Sequence, residues 1–279
     1  MKIVTFALQD GRPRAGVLFE DGIVDLTNQG FSSVLELIAS GRALKAADVQ
    51  AAPRISLEAA RLLAPLSNPP RVFCIGLNYR DHAIESKMEI PAVPTVFLKL
   101  TSSITGPNTP IVLPKVSTQP DYEAEFALVI GKGGHKIAAE AWRDHVFGYT
   151  ILNDVSARDV QLVTSQWILG KSFPTFCPIG PALVTADEIP DPHALDIRLT
   201  IDGEELQHSN TRELIFRLPE LIAYISSIAP LEPGDIISTG TPQGVGLGRK
   251  PQRWLKPGET VTVEIEGLGK LVNHTVAET

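Results

Sequence analysis

The sequence predicts an α+β fold that is mostly β, and three observations favour this class. Glycine and proline each occur 22 times among 279 residues and 43% of the residues are hydrophobic, which is typical of a globular chain rich in loops. Several segments alternate apolar and polar residues with the two-residue period of a strand. Helical periodicity is limited to a few segments. It predicts a helix over Ser32–Ser40 that ends at Gly41, and a longer helix over Thr211–Ile228 that Pro219 interrupts.

The predicted elements divide the chain into a small N-terminal α/β domain, residues 1–66, and a larger domain, residues 70–279. Lys2–Leu8 and Ala15–Phe19 are predicted strands of the first domain, joined by a turn that contains Gly and Pro. Polar residues and two prolines at 67–70 mark the boundary. Because the first domain carries no cluster of reactive side chains, we interpret it as a cap or packing module.

Composition argues against several classes of partner. The formal net charge of −7 argues against nucleic acid and anionic membranes, since both attract basic surfaces. No apolar run approaches the length of a membrane span, and the first ten residues turn polar too early for a signal peptide. Cys74 and Cys177 match no metal or redox spacing, so a reducing compartment is expected. We therefore expect a soluble, cytoplasmic protein.

Acidic residues on two predicted strands are candidate metal ligands. Asp121–Ile130 alternates as a strand, so Glu123 and Glu125, together with Asp121, are predicted to project from one face. Asp154 follows a second apolar run, where a strand gives way to a turn. Clustered carboxylates repel unless a cation lies between them, and without nearby His or Cys they suit Mg²⁺, Ca²⁺ or Mn²⁺. The alternative is a solvated acidic strand face with an unrelated helix-capping Asp.

A polar segment after the predicted strand Val72–Leu77 carries a candidate general base. If residues 78–86 are helical, His82 and Glu85 are neighbours that can touch. A carboxylate that accepts a hydrogen bond from one imidazole nitrogen raises the basicity of the other, which can then deprotonate water. The alternative is a solvated pair on a surface helix.

Three further residues are candidates for contact with an anionic ligand. Lys171 is a single charge in a stretch of aromatic, Gly and Pro residues, so it needs an anion from the protein or from a substrate. Gln161 lies seven residues beyond Asp154, two helical turns on and on roughly the same side. Thr241 belongs to a glycine-rich turn that offers N–H groups and a hydroxyl. This turn is not a dinucleotide motif, because a strand follows it instead of a helix.

Five stretches together resemble the fumarylacetoacetate hydrolase superfamily, in its short branch of acylpyruvases and 2-hydroxyhepta-2,4-diene-1,7-dioate isomerases. Each stretch is ordinary by itself, but their order and approximate spacing are those of the family. The resemblance covers the predicted larger domain, residues 70–279. The stretches are Gly76–His82, Asp121–Glu125, Asn153–Gln161, Gly170–Phe173 and Ser238–Gly246.

The resemblance implies a role for each candidate residue. The family's metal carboxylates, which usually hold Mg²⁺ or Mn²⁺ and also accept Ca²⁺, fall on Glu123, Glu125 and Asp154. Its water-activating dyad, carried by a lid that orders when ligand binds, falls on His82 and Glu85. The positions that contact substrate oxygens fall on Gln161, Lys171 and Thr241, with Lys171 assigned to catalysis.

The resemblance also implies a roll of mixed β-sheets, usually in a homodimer and often preceded by a small N-terminal domain. Asp121 matches a common residue of the motif that is not counted as a ligand in the short members. Leu77 stands where some relatives carry Arg, so a substrate preference that depends on that Arg is not transferred to this chain.

These roles predict a divalent-metal-dependent hydrolase that cleaves a C–C bond in an acylpyruvate-type 2,4-diketo acid, in the catabolism of aromatic or sugar acids. The metal would stabilise the departing pyruvate enolate. His82, held by Glu85, would activate water, and Lys171 with Gln161 would stabilise the oxyanion.

The same metal platform leaves other reactions open. They are decarboxylation of oxaloacetate, isomerisation or hydration of an unsaturated 2-oxo acid, and hydrolysis of a diketo sugar acid. A metal-stabilised binding or scaffold protein without turnover is the alternative from another class, although such a site would not need His82, Glu85 and Lys171 beside it.

Overall fold

Strands dominate the computed structural model, which describes residues 1–44, 46–81 and 90–279. In chain order the strands are β1 Lys2–Ala7, β2 Pro13–Phe19, β3 Gly22–Asp25, β4 Arg54–Ile55, β5 Arg61–Leu63, β6 Val72–Gly76, β7 Thr95–Lys99, β8 Ile104–Thr105, β9 Ile111–Leu113, β10 Pro120–Asp121, β11 Ala124–Ile130, β12 Val146–Asn153, β13 Ser156–Ala157, β14 Cys177–Thr185, β15 Asp196–Ile201, β16 Glu204–Asn210, β17 Ile236–Ser238, β18 Thr260–Ile265 and β19 Gly269–Ala277. The α-helices of the described residues are α1 Val34–Ser40, α2 Ala46–Ala51, α3 Arg158–Gln161 and α4 Leu218–Ile228. Short 3₁₀ turns lie at Thr27–Gln29, Leu57–Ala59, Thr101–Ser103, Ala139–His145, Ala186–Glu188, Thr211–Glu213 and Gly246–Gly248.

Within the described residues, twelve strands form one mixed sheet. Its neighbours follow the order β4-β3-β2-β1-β14-β12-β11-β17-β6-β7, with β5 paired to β1 and β8 paired to β14. Strand β17 runs parallel to β6, and β14 runs parallel to β8. A second sheet has the order β16-β15-β18-β19-β9, and β10 pairs with β13 in a short ribbon. The predicted α+β, mostly β class is therefore confirmed.

The N-terminal strands join the main sheet. Strand β1 pairs with β14 through Lys2 opposite Val184 and Ile3 opposite Leu183. It also pairs with β2 and β5 of its own region. The first strands of the chain are thus continuous with the larger sheet, and the division into domains 1–66 and 70–279 stays a prediction.

Helix α1 begins and ends at residues that suit its two ends. The Ser33 hydroxyl caps the first turn by accepting a hydrogen bond from the Glu36 N–H at 3.1 Å. Gly41 ends the helix with φ of 61°, a backbone conformation that glycine adopts without the steric cost of a Cβ. The predicted helix ended by Gly41 is confirmed, and it starts two residues later than predicted.

The prediction of one helix over Thr211–Ile228 is wrong in its N-terminal part. Helix α4 begins at Leu218, and Pro219 lies in its first turn, where a missing N–H costs no intrahelical hydrogen bond. The proline therefore starts the helix instead of interrupting it. Across the described residues, no helix has the length and apolar character that crossing a bilayer requires.

Strand β11 lies at the centre of the fold and is buried on both faces. Phe126 and Leu128 belong to a core that also contains residues of β15, β18 and α4. Ala127 and Val129 face the opposite core, which contains residues of the N-terminal strands and α1. Glu125 shares this second face and is 1% exposed, so the alternative of a solvated acidic strand face is wrong.

An ion pair between a buried aspartate and a half-buried arginine joins the starts of the parallel strands β6 and β17. Asp235, which precedes β17, is fully buried and accepts hydrogen bonds from Arg71 Nε at 2.9 Å and Nη2 at 2.6 Å. It also accepts a hydrogen bond from the Glu232 N–H at 2.7 Å. Arg71 directly precedes β6, so this one carboxylate joins two neighbouring strands.

Replacing Asp235 with Ala is expected to lower the free energy of unfolding by about 2–4 kcal/mol, because the guanidinium and a backbone N–H lose their buried acceptor. Chemical denaturation measures this change. The control is Glu264→Ala, which removes an exposed pair with Lys270 at 3.2 Å and should cost no more than about 1 kcal/mol. Equal losses in the two variants would contradict the role given to Asp235.

Candidate active site

The three predicted metal carboxylates meet at one end of strands β11 and β12. These strands are antiparallel neighbours, with Ala124 opposite Asn153. Glu123 precedes β11 and Asp154 follows β12, so both lie where the strand ladder ends. The Asp154 N–H donates to the Glu123 carbonyl at 2.9 Å, and the Glu123 N–H donates to Asn153 Oδ1 at 3.0 Å. These bonds hold the two acids beside Glu125 of β11.

The three side chains form a compact, buried acidic cluster. One carboxylate oxygen from each of Glu123, Glu125 and Asp154 lies within 4.8 Å of the others. The three residues are 5%, 1% and 0% exposed. Like charges held this closely away from water repel one another strongly. Burial, and then the charges of Asp154 and Glu123, raise the pKa of Glu125 well above its usual range. The cluster therefore needs cations to remain ionised.

Among the described residues, three buried cations neutralise most of this charge. Lys171 Nζ lies 2.7 Å from Glu123 Oε2 and 2.7 Å from Asp154 Oδ2. Arg158 Nη2 lies 2.6 Å from Glu123 Oε1, and Lys99 Nζ lies 2.6 Å from Asp154 Oδ1. Burial opposes a charge on Lys171, but Asp154 and Glu123 outweigh it and raise the pKa of this ammonium above its usual value. Protein carboxylates therefore supply the anion that Lys171 was predicted to need.

Glu125 differs from the other two carboxylates, because no lysine or arginine in the described ranges forms an ion pair with it. Its Oε2 accepts hydrogen bonds from the Ser238 hydroxyl at 2.5 Å and the Gly240 N–H at 3.1 Å. The other oxygen has no such donor within those ranges and can contact a further cation. Buried carboxylate oxygens are the donors that hard divalent ions prefer. The residues present therefore fit Mg²⁺ or Mn²⁺.

Asp121 lies apart from this cluster, contrary to the prediction that it projects beside Glu123 and Glu125. The predicted continuous strand is divided between β10, which ends at Asp121, and β11. The Asp121 carboxylate accepts hydrogen bonds from Arg158 Nε at 2.8 Å and from the N–H groups of Gly246 and Leu247 at 2.7 and 3.0 Å. It therefore orients Arg158 and fixes the glycine-rich loop.

A cavity of about 420 Å³ opens onto the acidic cluster. Its polar lining comes from Glu123, Glu125, Arg158, Gln161, Lys171, Thr241 and Lys250. Its apolar lining includes Leu77, Phe97, Trp167, Val245 and Leu247. The Trp167 ring packs on Gly76, where a Cβ would lie 2.6 Å from a ring carbon, so a larger residue here would require the ring to shift. Apolar walls around a few converging polar groups are typical of a small-molecule site.

The orientation of two polar lining residues is fixed by their neighbours. Gln161 Oε1 accepts a hydrogen bond from Arg158 Nη1 at 3.0 Å, so its amide N–H₂ group is left to donate. Thr241 Oγ1 accepts one from Gln207 Nε2 at 2.9 Å, so its hydroxyl hydrogen is left to donate. Gln207 is itself held by the Ala124 N–H, which donates to Oε1 at 2.9 Å. Within the described part of the chain, both lining residues keep a donor for a ligand.

The structure brings six of the predicted site residues into this one region. They are Glu123, Glu125, Asp154, Gln161, Lys171 and Thr241. His82 and Glu85 lie outside the described residues. The general-base dyad, like the individual roles of the other residues, stays a prediction.

Three residues of the site were not predicted from the sequence. Lys99 is a lysine in an apolar strand, two residues from Phe97 and so on the same face, which is a usable signal for a buried charge. Arg158 follows the third carboxylate by four residues, and the predicted excess of acids in the site calls for such a cation. No local sequence pattern indicates that Gln207 belongs to the site, because its partner Thr241 is 34 residues away in the sequence.

Comparison with known proteins identifies the family. The family model described as fumarylacetoacetate (FAA) hydrolase C-terminal matches residues 71–276. The mitochondrial oxaloacetate tautomerase fahd2 of Xenopus laevis is 44% identical over 288 aligned positions, which cover 99% of this chain and 90% of that protein. The mitochondrial oxaloacetate tautomerase FAHD2A of Homo sapiens is 48% identical over 216 positions, which cover 77% of this chain and 69% of that protein.

Solved structures of the family resemble this chain over its whole length. Fumarylacetoacetate hydrolase from psychrophilic Exiguobacterium antarcticum is 40% identical with a TM-score of 0.90, and each chain is covered to 100%. Maleylpyruvate hydrolase from Sphingobium sp. SYK-6, in complex with manganese(II) ion and pyruvate, is 31% identical with a TM-score of 0.85 and the same coverage.

These relatives correct the expectation of a cytoplasmic location. Both oxaloacetate tautomerases are named as mitochondrial proteins, which contradicts it. An acidic net charge and reduced cysteines are compatible with more than one compartment, so composition could not distinguish between them.

Two comparisons agree on the family. One family model matches most of the chain, and a relative from the same family is similar in sequence over 99% of it. The buried acidic cluster and its cavity lie inside the matched residues. The chain therefore belongs to the fumarylacetoacetate hydrolase family and is an enzyme of that superfamily.

Proposed function

We propose that this enzyme interconverts the enol and keto forms of oxaloacetate, with a divalent cation held by Glu123, Glu125 and Asp154. The buried acidic cluster at the base of the cavity carries the proposal, because it supports a hard cation beside a ligand site. The Xenopus laevis relative, 44% identical across 99% of this chain, is named an oxaloacetate tautomerase. Similarity of this extent favours the same reaction here.

Tautomerisation moves a proton between C3 and the 2-oxygen of the substrate. Negative charge develops on the oxygen while the proton is in transit, so the site must stabilise an oxyanion. When bound, a divalent cation supplies Lewis-acid stabilisation of that oxygen and of the adjoining carboxylate. The remaining stabilisation comes from hydrogen-bond donors of the chain that line the cavity, namely Lys171, Gln161 and Thr241.

In this mechanism Lys171 stabilises charge and does not remove a proton. Burial opposes its charge, but in the metal-free protein Asp154 and Glu123 raise the pKa of the ammonium above its usual value, which favours the charged form. The same Nζ lies 2.7 Å from both Glu123 and Asp154 while its residue lines the cavity. Lys171 therefore places positive charge at the boundary between the acidic cluster and a bound substrate.

His82, paired with Glu85, is our candidate for the proton carrier. An imidazole gains and loses protons near neutral pH, and a carboxylate partner fixes its tautomer. This role comes from the sequence and from the family resemblance, since both residues lie outside the described residues.

Hydrolysis of a C–C bond in an acylpyruvate is the second candidate. It is favoured by the similarity to maleylpyruvate hydrolase, whose structure contains manganese(II) and pyruvate. Both reactions develop negative charge on the oxygens of a 2-oxo acid, so the same carboxylates and donors suit either. Hydrolysis also needs an activated water, whereas decarboxylation of oxaloacetate does not.

Protein saturated with Mg²⁺ or Mn²⁺ is expected to accelerate conversion of enol-oxaloacetate to the keto form, and EDTA is expected to abolish the acceleration. Excess malate dehydrogenase consumes the keto form, so NADH oxidation reports the rate. A parallel assay with lactate dehydrogenase reports pyruvate released from oxaloacetate or acetylpyruvate. Rapid pyruvate release from acetylpyruvate without tautomerase activity would replace this proposal with the hydrolase.

Thr241→Val is expected to reduce kcat/KM about 10- to 100-fold, because it removes one donor to a charged oxygen. Folding should survive, since Gln207 Nε2 also donates to the Pro242 carbonyl at 2.9 Å. The matched control is Thr150→Val, which removes a buried hydroxyl that donates to the Ala182 carbonyl at 2.9 Å in the sheet. Steady-state kinetics of both variants measure the difference, and equal kcat/KM values would show that Thr241 does not contact the substrate.

At alkaline pH, where Glu125 is ionised despite its raised pKa, Glu125→Gln is expected to raise the thermal midpoint of the metal-free protein, because it removes a buried like charge. The same change should remove most of the stabilisation by Mn²⁺, which for the parent is about 2.7 kcal/mol at 100 times Kd. Calorimetric scans with EDTA and with Mn²⁺ measure both effects. The exposed Glu264→Gln serves as control, and a full Mn²⁺ response in Glu125→Gln would exclude Glu125 as a ligand.

A further inference from the structure

The cavity has a closed inner end and an open outer end. Glu125 and Lys171 at the inner end are 1% and 2% exposed, whereas Gly248 and Lys250 of the same lining are exposed. A substrate whose 2-oxo acid head lies beside the acidic cluster must direct the rest of its chain outward. Among the described residues that line the cavity, Lys250 is the exposed cation, so its charge is at the solvent-facing part of the lining.

Lys250 differs from the other cations that line the cavity. Arg158 and Lys171 are buried and are both paired with carboxylates. The Lys250 side chain forms no ion pair and no hydrogen bond with any residue in the described ranges. With respect to those ranges, its ammonium is therefore available to an anion that enters the cavity.

The backbone that carries Lys250 is held in place by hydrogen bonds. The N–H groups of Gly246 and Leu247 donate to Asp121 at 2.7 and 3.0 Å. The Arg249 guanidinium donates to the carbonyl oxygens of Gly244 at 3.2 Å and Leu206 at 2.5 Å. Two neighbouring basic residues thus have different tasks, since Arg249 is bound to the backbone while Lys250 faces the cavity.

We propose that Lys250 recognises the terminal carboxylate of the substrate and so makes the site selective for 2-oxo dicarboxylic acids over 2-oxo monocarboxylic acids. The proposal rests on the proposed function, because it requires the 2-oxo acid head to lie at the inner end. It assigns Lys250 a specificity role and no part in proton transfer.

The apolar walls give the physical reason for this selectivity. Leu77, Trp167 and Leu247 belong to the apolar lining of the same cavity. A carboxylate that leaves water for such surroundings needs a counter-ion, whereas an uncharged tail does not. A lysine ammonium on its flexible stem can follow carboxylates at several distances. The site is therefore expected to prefer substrates with a terminal carboxylate. It is not expected to select one length of substrate.

The test compares oxaloacetate with 2-oxobutyrate, which has the same four-carbon chain and lacks the terminal carboxylate. Isothermal titration calorimetry on Mg²⁺-loaded protein, with freshly dissolved acids, measures both dissociation constants. Lys250→Ala should weaken oxaloacetate binding about three- to tenfold and change 2-oxobutyrate binding by less than about twofold. Lys250→Glu should weaken oxaloacetate binding by more than about tenfold, and Lys250→Arg should keep the preference.

Lys256→Ala is the matched control, because Lys256 is also an exposed lysine and does not line the cavity. It should leave both affinities unchanged. Thermal midpoints of the variants should equal that of the parent, since Lys250 supports no described contact. Unchanged oxaloacetate affinity in Lys250→Ala, or an equal loss for the two acids, overturns the proposal.

Calorimetry does not require turnover, so this proposal and the proposed function fail separately. Lys250-dependent binding of oxaloacetate without interconversion of its enol and keto forms refutes the tautomerase and supports recognition of dicarboxylates. Interconversion that continues with no Lys250-dependent preference refutes the recognition and supports the tautomerase. A parent protein that does not bind oxaloacetate at all overturns both.

Discussion

Neutralisation of buried carboxylates is the interaction on which the rest of the structure depends. An unpaired charge away from water costs several kcal/mol, so each acid at the end of β11 and β12 must find a cation. Within the described residues, four buried acids are paired with only three buried cations. One further positive charge would therefore be needed to balance the acids. The acids are Asp121, Glu123, Glu125 and Asp154, and the cations are Lys99, Arg158 and Lys171.

The same contacts serve both the fold and the site. Lys99 ties β7, an edge strand of the main sheet, to the end of β12. Arg158 ties α3 to the acids beside β11, and Lys171 ties the loop before β14 to both strands. A divalent ion added to this region would make its net charge positive, which suits an anionic 2-oxo acid. The elements that bury the charges are thus also the ones that prepare the cavity for its ligand.

Local pattern explains why some of the site could be predicted. The alternation around Glu125 placed it on one face of a strand, and the composition of the stretch around Lys171 indicated a buried cation. The same alternation misled at Asp121, because the chain leaves the strand at Tyr122 and Glu123 and turns the Asp121 carboxylate toward the glycine-rich loop. The helical periodicity likewise made the predicted helix too long at its N-terminal end. Pro219 is as compatible with the first turn of a helix as with a break inside one, and the sequence does not distinguish the two.

The sequence by itself determined the mostly β class, the supply of oxygen ligands and the order of motifs that identifies the family. Only the tertiary structure decided which acid contacts which cation, that Asp121 lies outside the acidic cluster and that Lys99 pairs with Asp154. The physical reason is that periodicity specifies the direction of a side chain relative to its own strand, whereas charge neutralisation depends on distance through space. Lys99 and Asp154 are 55 residues apart, and Lys171 and Glu123 are 48 apart, yet each pair is in direct contact.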